Sequence, residues 1–465
     1  MAFNSIYFLW TFLPVAFLGY YLIDKKYQNY FLLFFSLFFY AWGSPHTVVI
    51  LAISMCLNYV LTYALTKLHT GQKILLWVIV LLNIGLLFYY KYADFFLNHI
   101  FKLDKNLGDR TLPVGISFYT FSMLSCAIDI YKQQGEITGF ADYGLYISFF
   151  PKLVQGPIVK YTDFIAQLKN RHVTLDGLYQ GIVRFITGLG KKLLIANVLG
   201  EVADRIFGLT VHELSTSIAW LGALSYTLQI YYDFSGYSDM AIGLARLFGF
   251  NFKENFNYPY MSSSVKDFWR RWHISLSEWF KNYIYIPLGG NRKGEARTAM
   301  NTLIVFTVTG IWHGANWTFW LWGLLHGFVQ IAETFIWGKH LKKCKILSII
   351  YTDFVVLLGW VLFRADTLNG AMIFMKNMFF YKAAEPNFTV PVFVDTKIFM
   401  VLLVGILCSG IVQKMFQKIK AADFLLKKGD LILESAKVIA SLLLLLICLM
   451  SIANGAYKSF IYFKF

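Results

Sequence analysis

What most constrains this 465-residue chain is a succession of apolar runs separated by short basic turns. Residues 6–23, 28–42, 46–66 and 74–98 are long and nearly uncharged, broken by Asp24-Lys25-Lys26 and by a turn holding Lys67, His69 and Lys73. The pattern returns at 214–232, 237–250, 316–338, 346–363, 396–413 and 434–453. Roughly 20 apolar residues cross a bilayer as a helix, and a backbone in hydrocarbon must satisfy its own hydrogen bonds. The expectation is an all-α polytopic membrane protein with about 11–12 transmembrane helices, plus re-entrant and interfacial pieces. Composition excludes a soluble protein: 57% of residues are hydrophobic and only 15% charged, against roughly 25% charged in soluble chains. No repeat or linker divides residues 1–465, which read as one integral-membrane domain in the lipid bilayer. The N-terminus lacks a basic region and a small-residue cleavage site, so its first apolar run reads as a retained span.

A net charge of +16 without any nucleic-acid motif reads as cytoplasmic loops following the positive-inside rule. Lys25 and Lys26, the turn GKHLKKCK (338–345), and Lys414, Lys418, Lys420, Lys427 and Lys428 then lie inside, with both termini outside. Two regions depart from plain spans. Pro and Gly interrupt LPVGISFYTFSMLSCAIDIYK and ISFFPKLVQGPIVKY, which suits short or re-entrant helices shielded by protein. Residues 177–208, with Arg184, Lys191 and Lys192, resemble an amphipathic helix at the cytoplasmic interface. The five cysteines form no CxxC pair, and His326 falls 13 residues past His313, so neither a disulfide framework nor a zinc site is expected.

Candidate chemistry gathers between residues 267 and 313. DFWRRWHISLSEWF packs Asp267, Arg270, Arg271, His273 and Glu278 among aromatics, while Ala299 to Leu325 holds one ionisable residue, His313. An ionisable group in an apolar span is costly and marks a functional-site hypothesis. Imidazole suits a general base; the alternative is a core histidine bonded to a neighbouring helix. Asp233, Ser235, Ser238 and Asp239 sit in YYDFSGYSD. They suit either orienting a histidine or, as the preferred structural reading, capping helix ends beside Gly236 and Gly243. Arg270 and Arg271 suit phosphate or carboxylate, with Trp269 and Trp272 as interfacial anchors. No GxSxG elbow, HExxH, Walker loop or Rossmann fingerprint occurs.

The segments LPVGISFYTFSMLSCAIDIY, SFFPKLVQGPIVKYTDF, LQIYYDFSGYSDMAIGLARLFGF, FWRRWHISLSEWF, YIYIPLGGNR and TGIWHGANWTFWLWGLLHG, in that order, resemble the signatures of the membrane-bound O-acyltransferase (MBOAT) superfamily. The similarity is to its bacterial alginate O-acetyltransferase-like branch, with the teichoic-acid D-alanyl transferase as a relative. The resemblance implies a helical fold around a tunnel, with His313 matching the family's invariant histidine and His273 its second one. It implies transfer of an acyl group, acetyl by preference, from a cytoplasmic thioester to a hydroxyl outside a bacterial plasma membrane. The donor would be acetyl-CoA or an acyl carrier protein, and no cofactor or metal would be bound. In this topology Arg270, Arg271, Arg292, Lys293 and Arg297 lie near a cytoplasmic mouth, where they suit the donor's phosphates or simply follow the positive-inside rule.

The tail NGAYKSFIYFKF (454–465) is too aromatic for a solvated end. An interfacial anchor accounts for it, but its F-x-Y-x-x-F arrangement also resembles the C-terminal acyl-accepting motif of these cell-envelope systems. On that reading Tyr462 carries the acyl group to an extracytoplasmic SGNH-type transferase. Three other functions stay open: D-alanyl transfer to teichoic acid, a polymer flippase with His313 as proton relay, and a scaffold.

Overall fold

The computed structural model describes residues 2–103, 111–341, 343–415 and 430–455. Among these residues the secondary structure is helical, without a strand. Five helices are long and apolar enough to cross a membrane: Val48–Lys67, Gln72–Lys91, Lys345–Arg364, Thr396–Met415 and Glu434–Ala453. Phe8–Leu22 and Ile116–Tyr131 are shorter apolar helices. Leu442, Leu443 and Leu446 on the last span are more than half exposed, as lipid-facing positions should be.

The chain gathers into two compact units: Met1–Phe185 with Tyr237–Lys253, and Ile186–Gly236 with Glu254–Phe465. In the first, Ile116–Tyr131 is buried along almost its whole surface. Its hydroxyls make that burial tolerable by bonding one turn back, Ser122 Oγ to the Phe118 carbonyl at 3.0 Å and Ser125 Oγ to that of Phe121 at 2.7 Å. Val48–Lys67 and Gln72–Lys91 are joined by Asn83 Nδ2 donating to Asn58 Oδ1 at 2.6 Å, both buried, the usual polar link between helices in lipid. The Pro/Gly-interrupted region forms the short helices Phe140–Ser148, Phe150–Leu153 and Tyr161–Asn170. Gly115, at φ 73°, lies so close to the chain that a Cβ would stand 2.6 Å from the Leu153 carbonyl oxygen.

Two expectations fail here. Thr216–Leu247 is one helix of 32 residues, not two spans joined at YYDFSGYSD. Asp233, Ser235, Ser238 and Asp239 lie inside that helix and not at its ends; Gly236 and Gly243 each let a neighbouring backbone approach, with a Cβ at Gly236 falling 2.8 Å from Gly188 O and one at Gly243 falling 2.6 Å from Gly181 O. The helix is not broken by its acids because each is matched by a cation. Arg184 meets Asp239 at 2.6 Å in the first unit, and Lys192 meets Asp233 at 2.6 Å in the second. Lys192 is also only 1% exposed, so it does not belong to a solvated face of an interfacial helix.

Candidate active site

The second unit holds His313 and His273. His313 is the last residue of the helix Glu295–His313, which turns through Gly314, Ala315 and Asn316 into Trp317–Ala332. Asn316 starts the second helix by accepting from the Thr318 amide at 3.1 Å, and its Nδ2 donates to the Asp366 carbonyl at 2.8 Å. The two helices cross at backbone contact: a Cβ at Gly323 would stand 2.4 Å from Phe306 O and 3.1 Å from Gly310 Cα. That closeness brings Trp322 against His313, ring centroids 5.0 Å apart and perpendicular. Trp312 at 4.7 Å and Phe363 at 5.0 Å complete an aromatic box around the imidazole, which is 5% exposed.

His273 comes from a turn built in a different way. The five-residue helix Val265–Trp269 has its amides satisfied from outside: Ser264 Oγ accepts from Asp267 N at 3.0 Å, and the Glu333 carboxylate accepts from Val265 N at 2.7 Å and Lys266 N at 3.1 Å. After it the chain turns sharply, with His273 at φ 44°, ψ 55°, a left-handed conformation uncommon for a residue with a Cβ. Its Nδ1 lies 3.2 Å from Asn255 Oδ1. The Ser275 amide also donates to that atom, at 3.1 Å, so the atom is an oxygen and His273 Nδ1 carries the proton. Nε2 is then the basic nitrogen, and it has no hydrogen-bond partner among the described residues. Segment 265–285 lies outside the five spans; burial there pushes the His273 imidazole down to about 3, so it is held neutral.

Trp312 stands between the two histidines, 4.7 Å from His313 and 6.5 Å from His273 by ring centroid. Phe234 meets His273 edge-on at 4.6 Å. A third histidine, His326, is fully buried on the far side of Trp322 at 5.1 Å, and its Nδ1 accepts from Trp269 Nε1 at 3.3 Å. Its sequence spacing served only to argue against zinc; its place in the same hairpin as His313 was the available signal.

The basic candidates separate. Arg270 is exposed and Arg271 is turned to Asp267, its Nε 3.1 Å from both carboxylate oxygens; both lie within three residues of His273. Arg292 and Lys293 are exposed before the helix Glu295–His313, whose 19 residues span roughly 28 Å at 1.5 Å per residue. They are therefore remote from His313, as is Arg297, which donates to the Leu288 carbonyl at 3.4 Å. Tyr462 lies outside the described residues. Asp233 and Asp239 are engaged in ion pairs. Chemically, the second unit offers imidazole bases in a dry aromatic setting, one of them presenting a lone pair.

Comparison with known proteins agrees with this chemistry. The family model described as "MBOAT, membrane-bound O-acyltransferase family" matches residues 57–342, which include His273 and His313. The chain is 40% identical to a probable alginate O-acetylase, AlgI, of Azotobacter vinelandii over 395 residues, covering 82% of this chain and 78% of that protein. It is 37% identical to a peptidoglycan O-acetyltransferase of Helicobacter pylori over 420 residues, 81% and 80% of the two chains. A teichoic acid D-alanyltransferase of Bacillus subtilis is 27% identical over 279 residues, 55% of this chain and 69% of that one. With apolar spans, buried histidines and a family match over more than half its length, the chain belongs to the membrane-bound O-acyltransferase family and is an O-acyltransferase.

Proposed function

We propose that this protein moves an acetyl group from a cytoplasmic thioester across the bacterial plasma membrane, for O-acetylation of a polysaccharide or peptidoglycan outside. The observation that carries the reading is His313 at the end of its helix in the aromatic box, across Trp312 from a neutral His273. The 37–40% identity to O-acetylating relatives supports acetyl as the group. His313 takes the proton of the attacking hydroxyl as its oxygen bonds the thioester carbonyl carbon, the C–S bond breaks, and the proton passes to the departing thiolate. A positioned base of this kind contributes about 10²–10⁴-fold. His273 presents its Nε2 lone pair to orient a hydroxyl or pass a proton. Arg270 and Arg271 face the donor's phosphates, with Arg292 and Lys293 in a steering role only, because they stand a helix-length away. The donor is acetyl-CoA or an acylated carrier protein.

On the outer side the first acceptor is the phenol of Tyr462, on a tail external like the N-terminus. An aryl ester leaves more readily than an alkyl one, the phenol having a pKa of about 10, so it is a suitable donor for an SGNH-type transferase. The second reading, D-alanyl transfer to teichoic acid, rests on the 27% relative. The test uses cells in which the polymer's ester content is measured. His313→Ala and Tyr462→Phe should each abolish both acyl loading of the tail and O-acetylation, with protein levels unchanged. Normal ester content in His313→Ala overturns the base assignment; normal content in Tyr462→Phe overturns the carrier.

A further inference from the structure

We propose that a cavity at the outer end of Lys345–Arg364 seats the side chain of Phe460 and so holds Tyr462 toward His313; this rests on Tyr462 as acyl acceptor. The cavity, of about 180 Å³, lies within the second unit, between the chain at 206–214 and that at 364–374. Its apolar wall is Ile206, Phe207, Leu209 and Phe374. The Phe207 and Phe374 rings stack, centroids 4.3 Å apart and 8° from parallel, and the Arg364 guanidinium lies 5.2 Å from the centre of the Phe207 ring. One more flat ring is the ligand such walls suit.

Size and charge narrow the occupant. Pockets for drug-sized ligands run to roughly 300–1,000 Å³, so this one takes a single side chain and not a length of polysaccharide. Arg364 is engaged by Asp204 at 2.6 Å. Among the described residues around the cavity, Arg205, Arg364 and Lys382 are balanced by Asp204, Glu213 and Asp366. Arg205 lies over Phe393 at 5.0 Å, Lys382 Nζ donates to the His212 carbonyl at 2.9 Å, and Glu213 accepts from the Thr210 amide at 2.8 Å. No surplus of positive charge is left to hold a phosphate or a uronate. Asp366, 97% exposed, is the charge at the rim.

The cavity adjoins the candidate active site. Phe363, next to Arg364, meets His313 at 5.0 Å, and the Asp366 carbonyl accepts from Asn316 Nδ2 at 2.8 Å. The tail can reach it. A Cβ at Gly190 would stand 2.9 Å from Leu444 Cδ1, so the last span packs beside the helical stretch from Gly190 to Phe207. Both run outward in the topology above. At 1.5 Å per residue the rise from Gly190 to Phe207 is about 25 Å, and that from Leu444 to Gly455 about 16 Å. Gly455 then stands about 9 Å short of Phe207 in depth and about 10 Å to its side, within the roughly 17 Å that the five residues to Phe460 span. Lys458, Phe460 and Tyr462, all outside the described residues, share one face of an extended chain. That spacing sets Lys458 at Asp366, Phe460 in the cavity and Tyr462 on its inner side.

The experiment uses full-length protein in nanodiscs, with p-benzoylphenylalanine in place of Phe460. Irradiation without acyl donor should cross-link it to peptides of 206–214 or 364–374, mapped by mass spectrometry. Cross-links only to lipid or to other segments overturn the dock. In protein taken from cells, Phe460→Ala and Leu209→Trp, which fills the cavity from its loop edge, should each lower the esterified fraction of the tail by roughly tenfold or more, the worth of one buried aromatic side chain. Combined, they should lower it no further, because both remove one contact; losses that multiply overturn the proposal. The cross-link is separate from the carrier reading. Cross-linking to the cavity by a tail that is never esterified refutes Tyr462 as acceptor and leaves the dock, while an esterified tail cross-linked elsewhere refutes the dock alone.

Discussion

Replacing Lys192 by Met tests how much of the cost of burying Asp233 is offset by its ion pair with Lys192. The ion pair is 2.6 Å long, and its side chains are 1% and 6% exposed. At an effective dielectric of 20 their attraction is about 6 kcal/mol, offset by a desolvation cost of several kcal/mol per ion. The pair therefore contributes little net stability, but half of it is costly. Removing one member of a buried pair leaves the other charge without that partner, at a cost of about 3–5 kcal/mol. Lys192→Met should destabilise by about 4 kcal/mol, and the double exchange Lys192→Met/Asp233→Leu should be within about 1 kcal/mol of wild type or better. Equilibrium unfolding in mixed dodecylmaltoside/SDS micelles, followed by tryptophan fluorescence, measures both. A cost below about 1 kcal/mol for Lys192→Met, or a double exchange as costly as the single one, would refute the reasoning.

The crossing of the two hairpin helices and the neutrality of His273 give further tests. Gly323→Ala places a methyl 2.4 Å from Phe306 O, so the helices must part by about 1 Å at a cost of about 1–3 kcal/mol; a wild-type melting temperature would contradict the crossing. His273 is held at about 3 in the fold against about 6.5 unfolded, so the unfolded chain binds the extra proton between those values. Its contribution is fully present above about pH 6.5 and is lost as pH falls toward 3, at about 1.4 kcal/mol per unit. His273→Gln should remove one such proton from the slope of stability between pH 6.5 and 5, and an unchanged slope would mean the imidazole is not held neutral.

His313 was legible because a lone ionisable residue in an apolar run has no averaging neighbours. The aromatic box was not, since Trp322 and Phe363 reach it from other helices. Lys192 was misread for a related reason: a lysine in an amphipathic repeat looks solvated, and its partner Asp233 is 41 positions away. Residues 214–250 looked like two spans because two acids and two glycines suggest a break. The cations that allow a single helix to continue lie on its neighbour. Arg292 and Lys293 stand close to His313's helix in sequence, but the rise of that helix puts them at its opposite end. Asn255 and Glu333 carried no local signature, because their work is to satisfy amides and a ring nitrogen 18 to 68 positions distant.

Glu333 has a mechanical consequence. A helix as short as Val265–Trp269 cannot hold its own amides, and the carboxylate that holds two of them belongs to the hairpin bearing His313. Trp269 adds a second tie by donating to His326 on that hairpin. The turn carrying His273 is thus clamped to the hairpin at two points. Any displacement of the hairpin would therefore carry both imidazoles together, with the spacing between them held by the two ties.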